Sequence, residues 1–419
     1  LKKPLELTID DLGAQGDGVA HHDGKTFFVS GALPGERVRV ETADLAANNR
    51  RLAPMEILTA SPERIAPPCP HFPQCGGCRL QHMDPAGAAA WKIKPLQYFL
   101  EKEGLHKTAL LPPAVTAPGT RRRARLAAQH RNGAVTLGFN AWRSHHVVDL
   151  ASCAVLLPAL AAFVQALRGK LSRWLPEGHV CDVQITALPD GLDAVFIGGP
   201  DLELEEREEL ALIAGDLGVA QLSWRKWDRS PVEPVAHRRP LHMTFGAATV
   251  PFPPGSFLQA TETGENALID FARKAVGQSA RVLDLYCGLG GFGLSCGAAK
   301  DVCFADLDGP ATAALSKAIK DKPNARVLER NLIREPFTAP ECDAFDAVIF
   351  DPPRGGAKAQ AIHLAKSGVP NIVAISCDAA SFMRDAKILV NGGYKLKSIL
   401  PVDQFLWSTH IELAAHFVR

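Results

Sequence analysis

A chain of 419 residues exceeds the usual span of one compact domain, so two or three domains with separate cores are expected. With 47% hydrophobic and 22% charged residues it is too apolar for an extended disordered chain. Its 46 basic and 45 acidic residues leave a formal charge of +1, which excludes the global positive field of a nonspecific nucleic-acid binder, so any RNA site must be local.

No stretch approaches the roughly 20 apolar residues of a membrane-spanning helix. The opening Leu1-Lys2-Lys3-Pro4-Leu5-Glu6 lacks the apolar core of a signal peptide. A cytoplasmic monomer with no membrane partner is therefore expected. Ten cysteines in such a chain point to metal binding or catalysis instead of a disulfide framework.

From Leu5 to Thr59, short β-rich runs such as Leu7-Thr8-Ile9, Thr26 to Val29 and Arg37 to Val40 are broken by glycine turns, which predicts a small barrel. Gly16-Asp17-Gly18-Val19-Ala20 and the run from Phe28 to Val38 resemble the TRAM domain, an OB-like barrel attached to RNA-modifying enzymes. Pro62, Pro67, Pro68, Pro70 and Pro73 then interrupt regular structure and set a boundary near residue 60.

Cys69, Cys75 and Cys78 follow in a C-x5-C-x2-C spacing whose two glycines let backbone wrap a metal centre. Cys153 is the nearest later cysteine and would complete four thiolates, enough for a cubane cluster or a structural zinc. A single C-x2-C knuckle favours iron–sulfur, although spacing alone does not separate the two metals.

A central α+β domain is expected over 61–254, with a helical pattern from Trp91 to Glu103 and short strands alternating with helices such as Leu202 to Ile213. A helix near 88–103 is expected to pack on the catalytic domain. Arg121-Arg122-Arg123-Ala124-Arg125 is the densest basic run and is read either as a phosphate contact or as a solvated face.

Over 255–419 the texture becomes strand-helix alternation. Arg281 to Tyr286, Asp301 to Ala305, Arg326 to Glu329, Ala347 to Phe350 and Ile372 to Ser376 read as buried strands, with two closing strands at Leu396 to Val402 and Ile411 to Val418. This α/β pattern predicts a doubly wound, Rossmann-like sheet with ligands at the carboxyl ends of its strands.

Val282 to Gly293 is a strand feeding a glycine-rich turn, and Gly288, Gly290 and Gly293 satisfy G-x-G-x-x-G, so a dinucleotide dehydrogenase competes with methyl transfer. Asp284 in the strand, Asp306 at the end of the next, and Asp351-Pro352-Pro353-Arg354 after a later one favour methyl transfer. An amino-methyltransferase using Asp351-Pro-Pro-Arg without a nucleophile is a further alternative. Cys377 sits at the tip of the following strand, where a nucleophile belongs, whereas Cys287, Cys296 and Cys303 read as inert core. Carbon 5 of uracil cannot attack a sulfonium methyl unaided; thiolate addition to carbon 6 makes it an enolate that can. Such a thiol would benefit from a depressed pKa. Glu412 is the candidate base for the carbon-5 proton.

Phe257-Leu258-Gln259, Asp284 to Gly290 and the cysteine motif resemble the TrmA/RumA-type RNA uridine-C5 methyltransferases over nearly the whole chain. The resemblance implies an S-adenosylmethionine-dependent class I domain. Gln259, Tyr286, Asp306, Asn331 and Asp351 would bind S-adenosylmethionine, Cys377 and Glu412 would be catalytic, and Phe257 would lie near a flipped uracil. It also implies a [4Fe-4S] cluster on Cys69, Cys75, Cys78 and Cys153, and single-stranded or loop RNA as substrate. The TRAM-like start favours 23S ribosomal RNA over tRNA; a non-enzymatic RNA-binding or folding protein is the other reading. The chain departs from the family at Asp378-Ala379, where Asn-Pro is usual, at Gly291, and at Leu406-Trp407-Ser408 before the base.

Overall fold

Residues 4–41, 51–297 and 299–419 are described by the computed structural model, so residues 1–3 and 42–50 of the expected barrel lie outside the described part. Two compact units result: Leu1–Lys94 with Phe139–Val148 and Phe405–Thr409, and Pro95–Gly138 with Asp149–Gln404 and His410–Arg419.

In the first unit, one sheet pairs Leu5–Thr8, Arg37–Val40 and Pro54–Thr59, and a second joins Asp11–Leu12, Gly18–His22, Lys25–Val29 and Arg51–Leu52. Alternating residues point inward, so Leu7, Ala20, Phe27, Val29, Val38 and Val40 share one core. Glu36 is fully buried there; it accepts from the backbone N–H groups of Leu33 (2.8 Å) and Ser61 (3.1 Å) and from Arg64. Burial alone would raise its pKa, but Arg64 and the two amides outweigh it and lower it.

The cysteine loop is held by backbone bonds from several sides. The N–H of Cys69 donates to Gln81 Oε1 (3.1 Å), that of Cys75 to the His71 carbonyl (2.9 Å) and that of Gly76 to the Asn140 carbonyl (3.0 Å). The helix beyond it runs over Pro85–Lys102, starting before the predicted Trp91. Asp84 Oδ1 accepts from the N–H groups of Ala86 (2.9 Å) and Gly87 (3.1 Å), and Pro85 occupies the first turn, where its missing N–H costs nothing.

The second unit contains a sheet in the order Ala134–Asn140, Arg123–Arg131, Val180–Leu188, Gly191–Gly198, Gln221–Arg225 and Glu233–His237. Its other sheet is built from β1 (Arg281–Leu285), β2 (Asp301–Asp306), β3 (Ala325–Glu329), β4 (Ala347–Phe350), β5 (Asn371–Ser376), β6 (Lys395–Asp403) and β7 (Glu412–Val418). The order is β3-β2-β1-β4-β5-β7-β6, extended at the β6 edge by Ala109–Leu110. Strands β1 to β5 are parallel, and β7 inserts antiparallel to β5 and β6. The order reverses between β1 and β4, which places a ligand crevice at the carboxyl edge. One face packs Leu258, Phe304, Leu315 and Cys287; the other packs Leu268, Phe271, Val373 and Ile375.

The basic run belongs to this architecture and is not a free phosphate patch. Buried Arg122 pairs with Glu265 (2.7 Å) and donates through Nε to the Gln259 carbonyl (3.0 Å), while Arg125 is paired with Asp182 (2.5 Å) and Asp228 (2.6 Å). Removing one member of a buried pair strands the other. Arg122→Met is expected to lower unfolding stability by about 3 kcal/mol, read as a drop in the urea midpoint, whereas a loss below about 0.5 kcal/mol would mean the pair is solvated.

Candidate active site

The carboxyl edge of the sheet collects the expected residues because each follows, or ends, a buried strand. β1 leads into the glycine turn, which opens the short helix α1 (Gly291–Ser295). Asp284 Oδ2 accepts from the N–H of Gly293 (2.8 Å), and a Cβ at Gly293 would meet Phe304 at 2.5 Å and that carboxylate at 2.9 Å. Close packing therefore dictates glycine here. Burial chiefly, then the charges of Asp351 and Asp306, push Asp284 up to about 7 against the opposing Gly293 bond.

Asp306, at the end of β2, accepts from the N–H of Gly288 (2.8 Å) and of Asp308 (2.9 Å). One bond to each oxygen leaves acceptor capacity for two adjacent hydroxyls, as a ribose presents. Tyr286 adopts a left-handed φ of 58° and, with Leu332, Ile333, Pro353 and Gly356, lines a cleft of about 440 Å³. That size and apolar lining suit an adenosine. Asn331 stands just before Leu332, its Oδ1 accepting from the N–H groups of Ile333 and Arg334 (both 3.2 Å).

The candidate nucleophile and base stand at the neighbouring tips. Ser376 is paired with Leu413 across β5 and β7, so Cys377 and Glu412 lie at the same end of adjacent strands. Glu412 is 2% exposed. Burial first, then the charge of Asp351, raise its pKa well above the ordinary carboxylate range, while Gln404 and Arg354 oppose the shift. Asp351 moves the same way, chiefly through burial. The Cys377 thiol is likewise pushed up, to about 11, by burial and by Glu412 and Asp351, with Arg354 favouring the thiolate. The depressed thiol pKa wanted on chemical grounds is thus not found; carboxylates outnumber the one cation. Cys287, Cys296 and Cys303 are buried core thiols, as the sequence suggested.

A chain of side-chain amides runs beneath these groups. Gln259 Nε2 donates to Asp351 Oδ2 (2.9 Å), Gln404 Nε2 donates to Gln259 Oε1 (2.7 Å) and to Glu412 Oε2 (3.0 Å), and the N–H of Ala260 donates to Gln404 Oε1 (3.0 Å). Two residues before Gln259, Phe257 is 58% exposed, with the Arg123 guanidinium 4.3 Å from its ring centroid. Arg123 also donates to the Leu258 carbonyl (2.7 Å), and burial, then Arg121 and Arg122, lower its pKa to about 10. The loop before Phe257 is pinned by Asp193, which accepts from the N–H of Gly255 (3.0 Å), and by Gln184, which donates to the Gly255 carbonyl (3.0 Å).

Comparison with known proteins fits this arrangement. The TRAM domain family matches residues 3–48. An uncharacterized RNA methyltransferase of Brucella suis biovar 1 (strain 1330) is 37% identical over 99% of this chain and 97% of that protein. This chain belongs to the TrmA/RumA-type RNA methyltransferases. The 23S rRNA (uracil(1939)-C(5))-methyltransferase of Alkalilimnicola ehrlichii (strain ATCC BAA-1101 / DSM 17681 / MLHE-1) is 35% identical, covering 100% of this methyltransferase and 97% of its own length. The Pyrococcus abyssi tRNA (uracil-54, C5)-methyltransferase, solved with S-adenosyl-L-homocysteine, shares the fold with a TM-score of 0.72 at 21% identity, covering 99% of this chain and 100% of that one.

In this methyltransferase the departure after Cys377 keeps its structural role. Asp378 caps the helix Ala379–Asn391, its Oδ1 accepting from the N–H of Ser381 (2.8 Å), a task Asn performs equally well. Sequence reasoning missed Gln404 and Asp193, which carry no motif of their own. Among the described residues no helix is long and apolar enough to cross a membrane, and no three His, Cys, Asp or Glu side chains are grouped as they would be around a metal ion. Cys75 and Cys78 are nonetheless buried in one loop, with Cys69 half-buried.

With its thiol held protonated, Cys377 should alkylate slowly in the ligand-free methyltransferase. Its iodoacetamide rate, taken as the difference from Cys377→Ala, should still be rising about tenfold per pH unit near pH 9. A plateau reached below that pH would contradict the assigned environment.

Proposed function

We propose that this methyltransferase transfers a methyl group from S-adenosylmethionine to carbon 5 of a uridine in RNA, with 23S ribosomal RNA as the substrate class. One observation carries the reading: a thiol and a buried carboxylate share the tips of two paired strands, directly beside the carboxylates that line the cofactor crevice. The 35% identity to a 23S rRNA uracil-C5 methyltransferase supports the ribosomal substrate.

S-adenosylmethionine supplies an electrophilic methyl and a positive sulfonium. On this side, Gln259 and Asp351 orient the methionine end, Asp306 holds ribose hydroxyls, and Tyr286 and Asn331 border the adenine. Phe257, backed by Arg123, offers a flat apolar surface on which an extruded uracil can stack. Cys377 gives its proton to solvent and its sulfur bonds to carbon 6, sending the ring electrons toward the carbon-4 oxygen as an enolate. Carbon 5 then takes the methyl as the methyl–sulfur bond breaks, leaving neutral S-adenosylhomocysteine. Glu412 accepts the carbon-5 proton, the electrons re-form the 5,6 double bond, and the sulfur leaves as thiolate.

RNA carrying 5-fluorouridine should trap wild-type protein covalently, because fluorine cannot leave as the proton does; Cys377→Ala should form no adduct. Glu412→Gln should retain methylation of the first equivalent yet release almost none of it, so a methylated covalent complex should accumulate on denaturing gels. Full turnover by Cys377→Ala would remove the covalent mechanism, and full turnover by Glu412→Gln would remove Glu412 as the base.

We further propose that Cys69, Cys75, Cys78 and Cys153 hold a [4Fe-4S] cluster. The donor set supports it: three of these thiols lie in one loop, two of them shielded from water, and thiolate is the usual ligand for such clusters. The cluster takes no part in the steps above. Anaerobically purified protein should be brown with iron and sulfide in equal amounts, and a colourless, zinc-loaded preparation would reject it.

A further inference from the structure

Two carboxylates are buried close together at this site, and something must fix where their oxygens point. Asp351 and Glu412 are joined through two primary amides, and the contacts determine the orientation of both amides. The backbone N–H of Ala260 can only donate, so the Gln404 atom facing it is the oxygen. Its NH2 therefore faces Gln259 and Glu412, the facing Gln259 atom must accept, and the Gln259 NH2 is turned to Asp351. Every link has one permitted direction, and it ends on an acceptor oxygen at both carboxylates.

We propose that Gln404 is a positioning residue for the reaction: anchored by Ala260 and Gln259, its amide presents the Glu412 carboxylate, as an acceptor, to the ring bound at Cys377. The inference rests on the reading of Glu412 as the base. Three observations carry it beyond the hydrogen bond itself. Gln404 is 2% exposed, so no water replaces it readily. It directly follows β6, beside the start of β7, and Val402 is paired with Glu412, so backbone pairing and amide bond locate the same carboxylate. Gly264 packs so tightly on it that a Cβ there would meet Gln404 Cβ at 2.8 Å, leaving the side chain no alternative rotamer space on that side.

The charged and titratable groups that act on Glu412 are Asp351 and Arg354 from the segment after β4 and Cys377 after β5; Arg354 in turn lies 3.4 Å from His410 Nε2. Asp351 favours protonation of the base; Gln404 and Arg354 oppose it. Removing the Gln404 donor therefore raises the pKa of Glu412 further. At a given pH less of the base is ionised, and activity returns as the pH is raised.

The test uses full-length protein, S-adenosylmethionine and a uridine-containing RNA fragment of 23S ribosomal RNA. Gln404→Met keeps the volume and removes every polar contact; Gln404→Glu keeps an acceptor for Ala260 but places a carboxyl beside Glu412. Both should bind S-adenosylhomocysteine within about threefold of wild type and form the 5-fluorouridine adduct, while release of methylated RNA falls about tenfold or more at neutral pH. The midpoint of the rising limb of the release-rate profile should move upward in both, and further in Gln404→Glu. Release at the wild-type rate with an unmoved midpoint in either folded variant would overturn the proposal. So would parallel loss of cofactor binding and adduct formation in both, which marks a purely structural residue. If instead Glu412→Gln releases product normally, it is the base assignment that fails, a result separable from any outcome at Gln404.

Discussion

Like charges buried at one edge of a sheet repel one another, and containing that repulsion organises this site. Asp284, Asp351 and Glu412 are each shifted toward the neutral form, chiefly by burial and then by one another or by Asp306. Each is also given a donor: the N–H of Gly293, the amide of Gln259 and the amide of Gln404. A buried carboxylate with one neutral donor is less costly than an orphan and less stable than a salt bridge, so it stays responsive to an arriving cation. An S-adenosylmethionine sulfonium is such a cation.

The same balance explains a thiol that is reluctant when the site is empty of substrate. Cys377 faces two carboxylates and a single guanidinium, Arg354. Burial and these charges favour the thiol, and since only the thiolate reacts, they make Cys377 slow to oxidise or alkylate. In the proposed reaction, charge delivered by the bound cofactor would offset the carboxylates and favour attack, tying the chemistry to the presence of both reactants.

Much of this was legible in the residues. Strands β1 to β7 lie within a residue or so of the expected runs; the buried parallel strands β1, β4 and β5 read as continuous apolar segments, whereas the edge strand β3 proves largely exposed. Cys377, Glu412, Asp351 and Asp306 could be placed at strand tips for that reason. Gln404 could not, since two of its partners are 144 and 145 residues away in sequence and the third, Glu412, is eight residues on with no motif linking the two. The arginine run misled in the opposite way: charge density suggested either a phosphate contact or a solvated face, whereas Arg122 is buried against Glu265 and Arg125 is claimed by two aspartates. Charge counts along a chain do not reveal which cations already have partners. The early start of the Pro85–Lys102 helix was visible in Asp84-Pro85, but its small-residue first turn hid the periodicity.

Tyr286 sits in the left-handed region, a conformation that costs a non-glycine residue about 1 kcal/mol, and its ring walls the 440 Å³ cleft. Heat tolerance and ligand retention therefore select opposite residues at this position. A library ranked only by survival at elevated temperature would enrich glycine or asparagine there, and its winners would be sturdier proteins with an unwalled cleft.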